Sequence, residues 1–151
     1  MSGAGAPKLA IDASGLQVAI VVTSWHTQIT DGLLAGAERA LQAAGNSEYE
    51  IWRVPGAFEL PLGAQYAIDA GADVVIALGV VIQGDTPHFD YVCQGVTQGI
   101  MEVSLKFSAP IGFGVLMCNT LDQAIARSGR PGSVEDKGYD SAIAALALMG
   151  L

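Results

Sequence analysis

This sequence has little charge: Asp, Glu, Lys and Arg make up 15% of its 151 residues, against 51% hydrophobic. So little charge is a lean allowance for covering a monomer's surface, and burying the surplus apolar area between subunits is the simplest remedy. Cations are scarcer still, seven Lys and Arg against fifteen Asp and Glu, for a formal net charge of −8. That balance argues against nucleic acid, whose affinity comes largely from Lys and Arg on phosphates. No run approaches the ~18 uninterrupted apolar residues that a membrane span needs. Residues 1–7 have no basic stretch ahead of an apolar one, so they do not read as a signal peptide. The two cysteines, Cys93 and Cys118, are well separated and form no ligand-like spacing, so each reads as a buried, reduced thiol. Together these absences point to a cytoplasmic protein. The length suits one ordinary domain that can bury a core without disulfides or a structural metal.

What is present is a regular alternation. Val18–Thr23 is a continuous apolar run of the kind buried on both faces of a sheet. Residues 31–44 carry Leu34, Ala37, Leu41 and Ala44 at helical spacing, and Gly45 ends them. Residues 49–54 read as a strand and 58–70 as a helix with Pro61 near its first turn. Residues 74–82 form the most apolar strand, 89–106 a long helix, and 110–117 a fourth strand loosened by Gly112 and Gly114. Residues 121–128 and 138–149 close the chain as two helices. Strands alternating with helices predict a parallel sheet covered on both faces, an α/β fold joined by right-handed crossovers. Residues 1–8 read as a flexible tail and 9–151 as a single domain, with 9–12 as an extra edge strand, one able to lie on a neighbouring subunit.

In open sheets of this type, ligands sit outside the carboxyl ends of the strands. The loops leaving those ends hold Ser24–Trp25–His26, Pro55 to Glu59, Gln83 to His88 and Cys118–Asn119–Thr120. The stretch from Gly84 to His88 lies between a buried strand and a helix, where backbone N–H groups bind anions. Gly84 lets the backbone approach a ligand closely, Thr86 adds a hydroxyl, and an imidazole such as His88 takes or gives a proton near neutrality. A plain capping turn, with Asp85 or Thr86 as cap and Pro87 first in the helix, explains the same residues except His88. A metal site at Asp85, His88 and Asp90 lacks a second histidine or cysteine at ligand spacing. Trp25 suits stacking on a flat heterocycle, although core packing is the commoner fate of tryptophan and is the reading for Trp52. His26 reads as a surface residue. Glu59 suits either a helix-dipole carboxylate or an acceptor for polyol hydroxyls, with the N–H groups of Ala57 and Phe58 as donors. Three of the seven cations, Arg127, Arg130 and Lys137, fall close together. They suit an anion site, but composition alone tips the balance to a solvated loop neutralised by Glu135 and Asp136.

The run from Gly79 to Val92 resembles the signature of the 6,7-dimethyl-8-ribityllumazine synthases. Residues 55–61 look like a second motif of that family, Phe113 to Leu116 with Asn119–Thr120 and Gln123–Ala124 like a third, and Asp136–Lys137–Gly138 like a fourth. Their order and spacing fit from about residue 16 to 148. The resemblance implies a flavodoxin-like, three-layer α/β/α fold around a mainly four-stranded parallel sheet. It also implies a cofactor-free reaction. A ribitylamino-aminopyrimidinedione condenses with dihydroxybutanone phosphate, phosphate and water leave, and the ring closes to the lumazine that precedes riboflavin.

By that resemblance His88 is the general acid/base, and Arg127 holds the phosphate with help from Asp85 and Thr86. Lys137 is the second cation, near the phosphate or the carbonyl oxygen, Trp25 stacks on the pyrimidine, Ala57, Phe58 and Glu59 meet the ribityl chain and ring edge, and Val81 and Ile82 offer backbone groups to the ring. Phe113 reaches in from an adjacent subunit, because family sites lie between subunits. Asp140 orients Arg127 or forms a helix-surface ion pair. The pattern departs at Trp25–His26, where Phe–Asn is commoner, and at Met117–Cys118, where hydroxylated residues are usual. A longer loop between Arg127 and Lys137 than shell-forming members have points to a free pentamer, with an icosahedral shell as the alternative. Two rivals remain at this stage. One is an archaeal-type riboflavin synthase of the same fold; the other is a non-catalytic flavin-binding protein, which would not need His88, Arg127 and Lys137 together.

Overall fold

The computed structural model describes residues 10–151. Their strands and helices alternate as expected: β1 (Val18–Thr23), α1 (Thr27–Ala43), β2 (Glu50–Val54), α2 (Leu60–Asp69), β3 (Val74–Ile82), α3 (His88–Phe107), β4 (Ile111–Cys118), α4 (Leu121–Arg127) and α5 (Lys137–Leu148). A 3-10 turn over Ala57–Glu59 leads into α2. The four strands are parallel in the order β2-β1-β3-β4, an α/β architecture.

Side chains alternate across a strand, and here they feed two apolar layers. Val18, Ile20 and Val22 of β1 and Val74, Ile76, Leu78 and Val80 of β3 pack with α1 and α5. Ala19, Val21, Val75 and Ala77 pack on the other face with α2 and α3. Both central strands are therefore apolar at nearly every position, which is why their limits are the expected ones. Side chains as buried as Ile20, Ile76 and Leu78 each contribute about 1.5–3 kcal/mol by leaving water.

Differences from expectation have local causes. Helix α1 begins at Thr27, not Asp31, because the His26 carbonyl accepts the N–H groups of Ile29 (2.9 Å) and Thr30 (3.1 Å). Its N-cap, His26, has left-handed backbone (φ 53°) and no side-chain cap bond, so no capping residue marks the start. Gly112 and Gly114 do not loosen β4, which keeps an unbroken register with β3 from Ile111 to Cys118. They let α5 lie directly on the strand: a Cβ at Gly112 would stand 2.5 Å from the Ser141 carbonyl oxygen. Ala10, Ile11 and Asp12 join no strand of this sheet, so the extra edge strand is absent within the chain over these residues. Leu9 and the tail 1–8 lie outside the described residues.

Candidate active site

A cleft of about 660 Å³ opens at the carboxyl ends of β1, β2 and β3. It is lined by Trp25 and His26 after β1, by Gly56 to Glu59 after β2, by Val80 to Ile82 of β3, and by His88, Tyr91 and Val92 on α3. That size suits a drug-sized heterocycle, and most of the lining is apolar with a few polar groups, as small-molecule sites usually are. A second cavity of about 370 Å³ lies near the amino ends of the strands, between residues 10–16 and the end of α5. Among the described residues Asp12 is the one ionisable side chain in its lining.

The walls follow from the topology. Trp25 is 66% exposed, so it is not a core residue; its ring stands against the bare backbone of Gly56, where a Cβ would lie 3.6 Å from the indole Cδ1 and Nε1. His26 lines the cleft beside it, with ring centroids 6.5 Å apart and tilted, so it is exposed but not merely a surface residue. Phe58, also exposed, lies along α3, where a Cβ at Gly95 would come within 2.9 Å of its ring. Glu59 lines the cleft while its Oε1 accepts the Gly56 N–H at 3.0 Å, so the carboxylate caps the turn from the cleft wall. Trp52 keeps to the other fate, half-buried in β2 with its Nε1 donating to Glu50 at 3.0 Å.

The loop from Gly84 to Pro87 is exposed at the edge of the cleft, and α3 begins at His88 with Pro87 as N-cap. The N-cap Pro87 offers no side-chain bond, and the Thr86 hydroxyl accepts the His88 N–H at a long 3.4 Å. Asp85 and Thr86 thus stand beside the cleft rather than in its lining.

The cations gather next to it. Arg127 ends α4, where its guanidinium donates to the Gln123 carbonyl at 2.9 Å and its Nε lies 4.0 Å from Glu135 Oε2. Lys137 Nζ lies 3.3 Å from the same oxygen. Glu135 therefore balances both cations, as the solvated-loop reading required, yet its side chain is only 15% exposed. Asp136 pairs instead with Arg39 of α1. The link to the cleft runs through β4: Cys118 pairs with Ile82 of the lining, and the Gln83 N–H donates to the Cys118 carbonyl at 2.9 Å. Burial pushes the Cys118 thiol up, with Arg127 opposing, so it stays un-ionised near neutrality. Cys93, only partly buried, is pushed up by desolvation and then by Asp90. Burial also raises the Asp140 carboxyl, with Lys137 opposing. Arg127 is held by Gln123 and Glu135, not by Asp140.

Seven expected residues thus meet in one cleft: Trp25, Ala57, Phe58, Glu59, Val81, Ile82 and His88. Asp85, Thr86, Arg127 and Lys137 lie outside its lining. Phe113 does not come near, since it pairs with Ala77 in the middle of the edge strand β4 and is 42% exposed. Tyr91 and Val92 were missed as lining; helical spacing from His88 places Tyr91 on its face and was the signal available. Among the described residues no group of three or more His, Cys, Asp or Glu gathers to hold a metal. None of their helices is long and apolar enough to cross a membrane.

The 6,7-dimethyl-8-ribityllumazine synthase family model matches residues 15–151. Relatives named 6,7-dimethyl-8-ribityllumazine synthase include one from Kineococcus radiotolerans, 55% identical over 97% of this chain and 91% of its own length. Another, from Streptomyces coelicolor, is 53% identical over 97% of this chain and 92% of its own length. A third, from a Nocardioides species, is 56% identical over 97% and 91%.

Proposed function

We propose that this chain, which belongs to the 6,7-dimethyl-8-ribityllumazine synthase family, is a transferase of riboflavin biosynthesis. It condenses 5-amino-6-(D-ribitylamino)uracil with 3,4-dihydroxy-2-butanone 4-phosphate and releases phosphate and water. The observation that carries this reading is the meeting of an exposed indole, two aromatic rings and an imidazole at the start of a helix in one cleft beside two cations.

Each step has a group suited to it. The pyrimidine stacks on Trp25, a contact worth about 0.5–1.5 kcal/mol beyond the area it buries. Backbone groups of Val81 and Ile82 meet the ring edge, while Ala57, Phe58 and Glu59 meet the ribityl hydroxyls. Arg127 and Lys137 hold the phosphate with the backbone of Asp85 and the hydroxyl of Thr86, because a guanidinium and an ammonium neutralise the leaving group. His88 moves protons as the amine attacks the ketone, water leaves the carbinolamine, phosphate is eliminated and the ring closes with loss of a second water. No step transfers electrons to an outside acceptor, so the reaction needs no redox cofactor.

The active unit is a cytoplasmic homo-oligomer, a pentamer, of a domain spanning residues 9–151. Exposed Leu62, Tyr66, Met101 and Leu105 on α2 and α3 supply apolar area to bury between subunits, and exposed Phe113 is available to complete a neighbour's cleft. The test supplies both substrates to purified protein and follows lumazine absorbance. Lumazine formation above the uncatalysed rate supports the reading; riboflavin formed from lumazine alone would assign the fold to riboflavin synthase instead. Sedimentation of the same sample reports the assembly, with a pentamer expected.

A further inference from the structure

We infer that the Glu135 carboxylate is a built-in occupant of the anion position between Arg127 and Lys137, displaced when the phosphate of the substrate binds. The inference rests on the reading that these two cations receive that phosphate. One oxygen, Glu135 Oε2, stands 3.3 Å from Lys137 Nζ and 4.0 Å from Arg127 Nε, so a single anionic atom faces both cations.

The backbone at Glu135 is pinned, which leaves its side-chain torsions as the adjustable part. Its N–H donates to the Ala126 carbonyl and its carbonyl accepts the Gly129 N–H, both at 3.0 Å. Ser128 and Asp136 form a bridge one residue further out. Asp136 is itself fixed: its Oδ1 accepts the Tyr139 N–H at 3.2 Å, and its other oxygen pairs with Arg39. That carboxylate sits in a niche that two glycines leave open, since a Cβ at Gly36 or at Gly129 would come within 2.3 Å or 2.5 Å of it. Asp136 is thus committed to α1, and Glu135, its neighbour, is the carboxylate turned to the site cations.

The exchange favours the right ligand. A phosphate monoester carries about −1.5 to −2 charges near neutrality and three strong acceptor oxygens. A glutamate supplies one charge and two oxygens. Substituting phosphate for Glu135 therefore gains charge and hydrogen bonds at Arg127 and Lys137, whereas a monoanion brings no more than the side chain already supplies. Glu135 so lowers the affinity for every anion but lets a dianion compete best.

The test titrates inorganic phosphate into wild-type protein and the near-isosteric Glu135→Gln variant at fixed ionic strength, reading the 31P signal. Two ion pairs of a largely buried carboxylate are at stake, so Glu135→Gln should bind phosphate about three- to tenfold more tightly. The same concentration of phosphate should raise its melting temperature more than that of the wild type. In a Lys137→Met background the gain should shrink, because Lys137 is one of the two cations that Glu135 faces. Equal or weaker phosphate binding by Glu135→Gln, or a full gain without Lys137, overturns the inference. Lumazine formation by the wild type is read separately: its absence would remove the proposed reaction while the phosphate comparison still stood.

Discussion

The cleft and the cationic segment beside it are built in different ways. The cleft is assembled from residues that leave the carboxyl ends of strands, so each wall follows from one strand and the turn after it. The segment from Arg127 to Lys137 is held from far away in the chain: Asp136 is tied to Arg39, 97 residues earlier, and glycines on α1 and in the loop itself give it room. The cleft is open and lined with exposed rings, whereas the cations are already occupied by Glu135. The difference separates two tasks. In the proposed reaction the cleft offers a preformed surface to a flat ring, and the cationic segment would exchange one anion for another. Substitutions in the first should disturb the pyrimidine and the proton transfers, and substitutions in the second should disturb the phosphate and the stability of the loop.

The largest expected effect breaks the cleft. Replacing His88 with Ala should lower turnover by about 10²–10⁴-fold in steady-state assays at saturating substrate, and an unchanged rate would remove His88 from the proton transfers. Next comes the anchor of the cationic segment. Gly36→Ala would push a methyl group to 2.3 Å from Asp136 Oδ1. Overpacking of that kind costs about 1–3 kcal/mol, read by denaturant unfolding. The same variant should raise KM for the butanone phosphate more than KM for the pyrimidine; equal changes in both would mean the segment serves the whole site. Trp25→Ala sharpens the contrast from the other side. Loss of stacking worth about 0.5–1.5 kcal/mol should raise the pyrimidine KM roughly two- to twelvefold and leave the phosphate substrate less affected.

The smallest effect is a pH dependence at the edge of the cationic cluster. Burial holds the Asp140 carboxyl above the ordinary aspartate range, with Lys137 opposing. The folded chain then keeps that proton to higher pH than the unfolded chain does. Stability from this group therefore falls as pH rises from the ordinary aspartate value through the raised one. Asp140→Asn should flatten the unfolding midpoint over that interval, and a profile identical to the wild type would show that Asp140 does not set it.

The two regions were not equally legible in the sequence. Strands β1 and β3 end where their apolar runs end, because a strand buried on both faces needs an apolar residue at nearly every position. The start of α1 was hidden, because His26 begins it with left-handed backbone and offers no capping side chain. The cleft residues could be named from motifs at the strand ends, yet the exposure of Trp25 could not, since an isolated tryptophan looks the same in a core. The engagement of Glu135 with both cations, and of Asp136 with Arg39, depends on a loop folding back onto α1, which no local pattern encodes. Phe113 is the remaining case, since within one chain it stands half-exposed on β4 far from the cleft. Its proposed role belongs to the assembly.

The most direct test of the whole account is one time course with both substrates and a metal chelator, recording lumazine absorbance and free phosphate together. The account predicts that both rise above the uncatalysed rate and stay in a one-to-one ratio. Phosphate release without lumazine, or neither product above background, would contradict it.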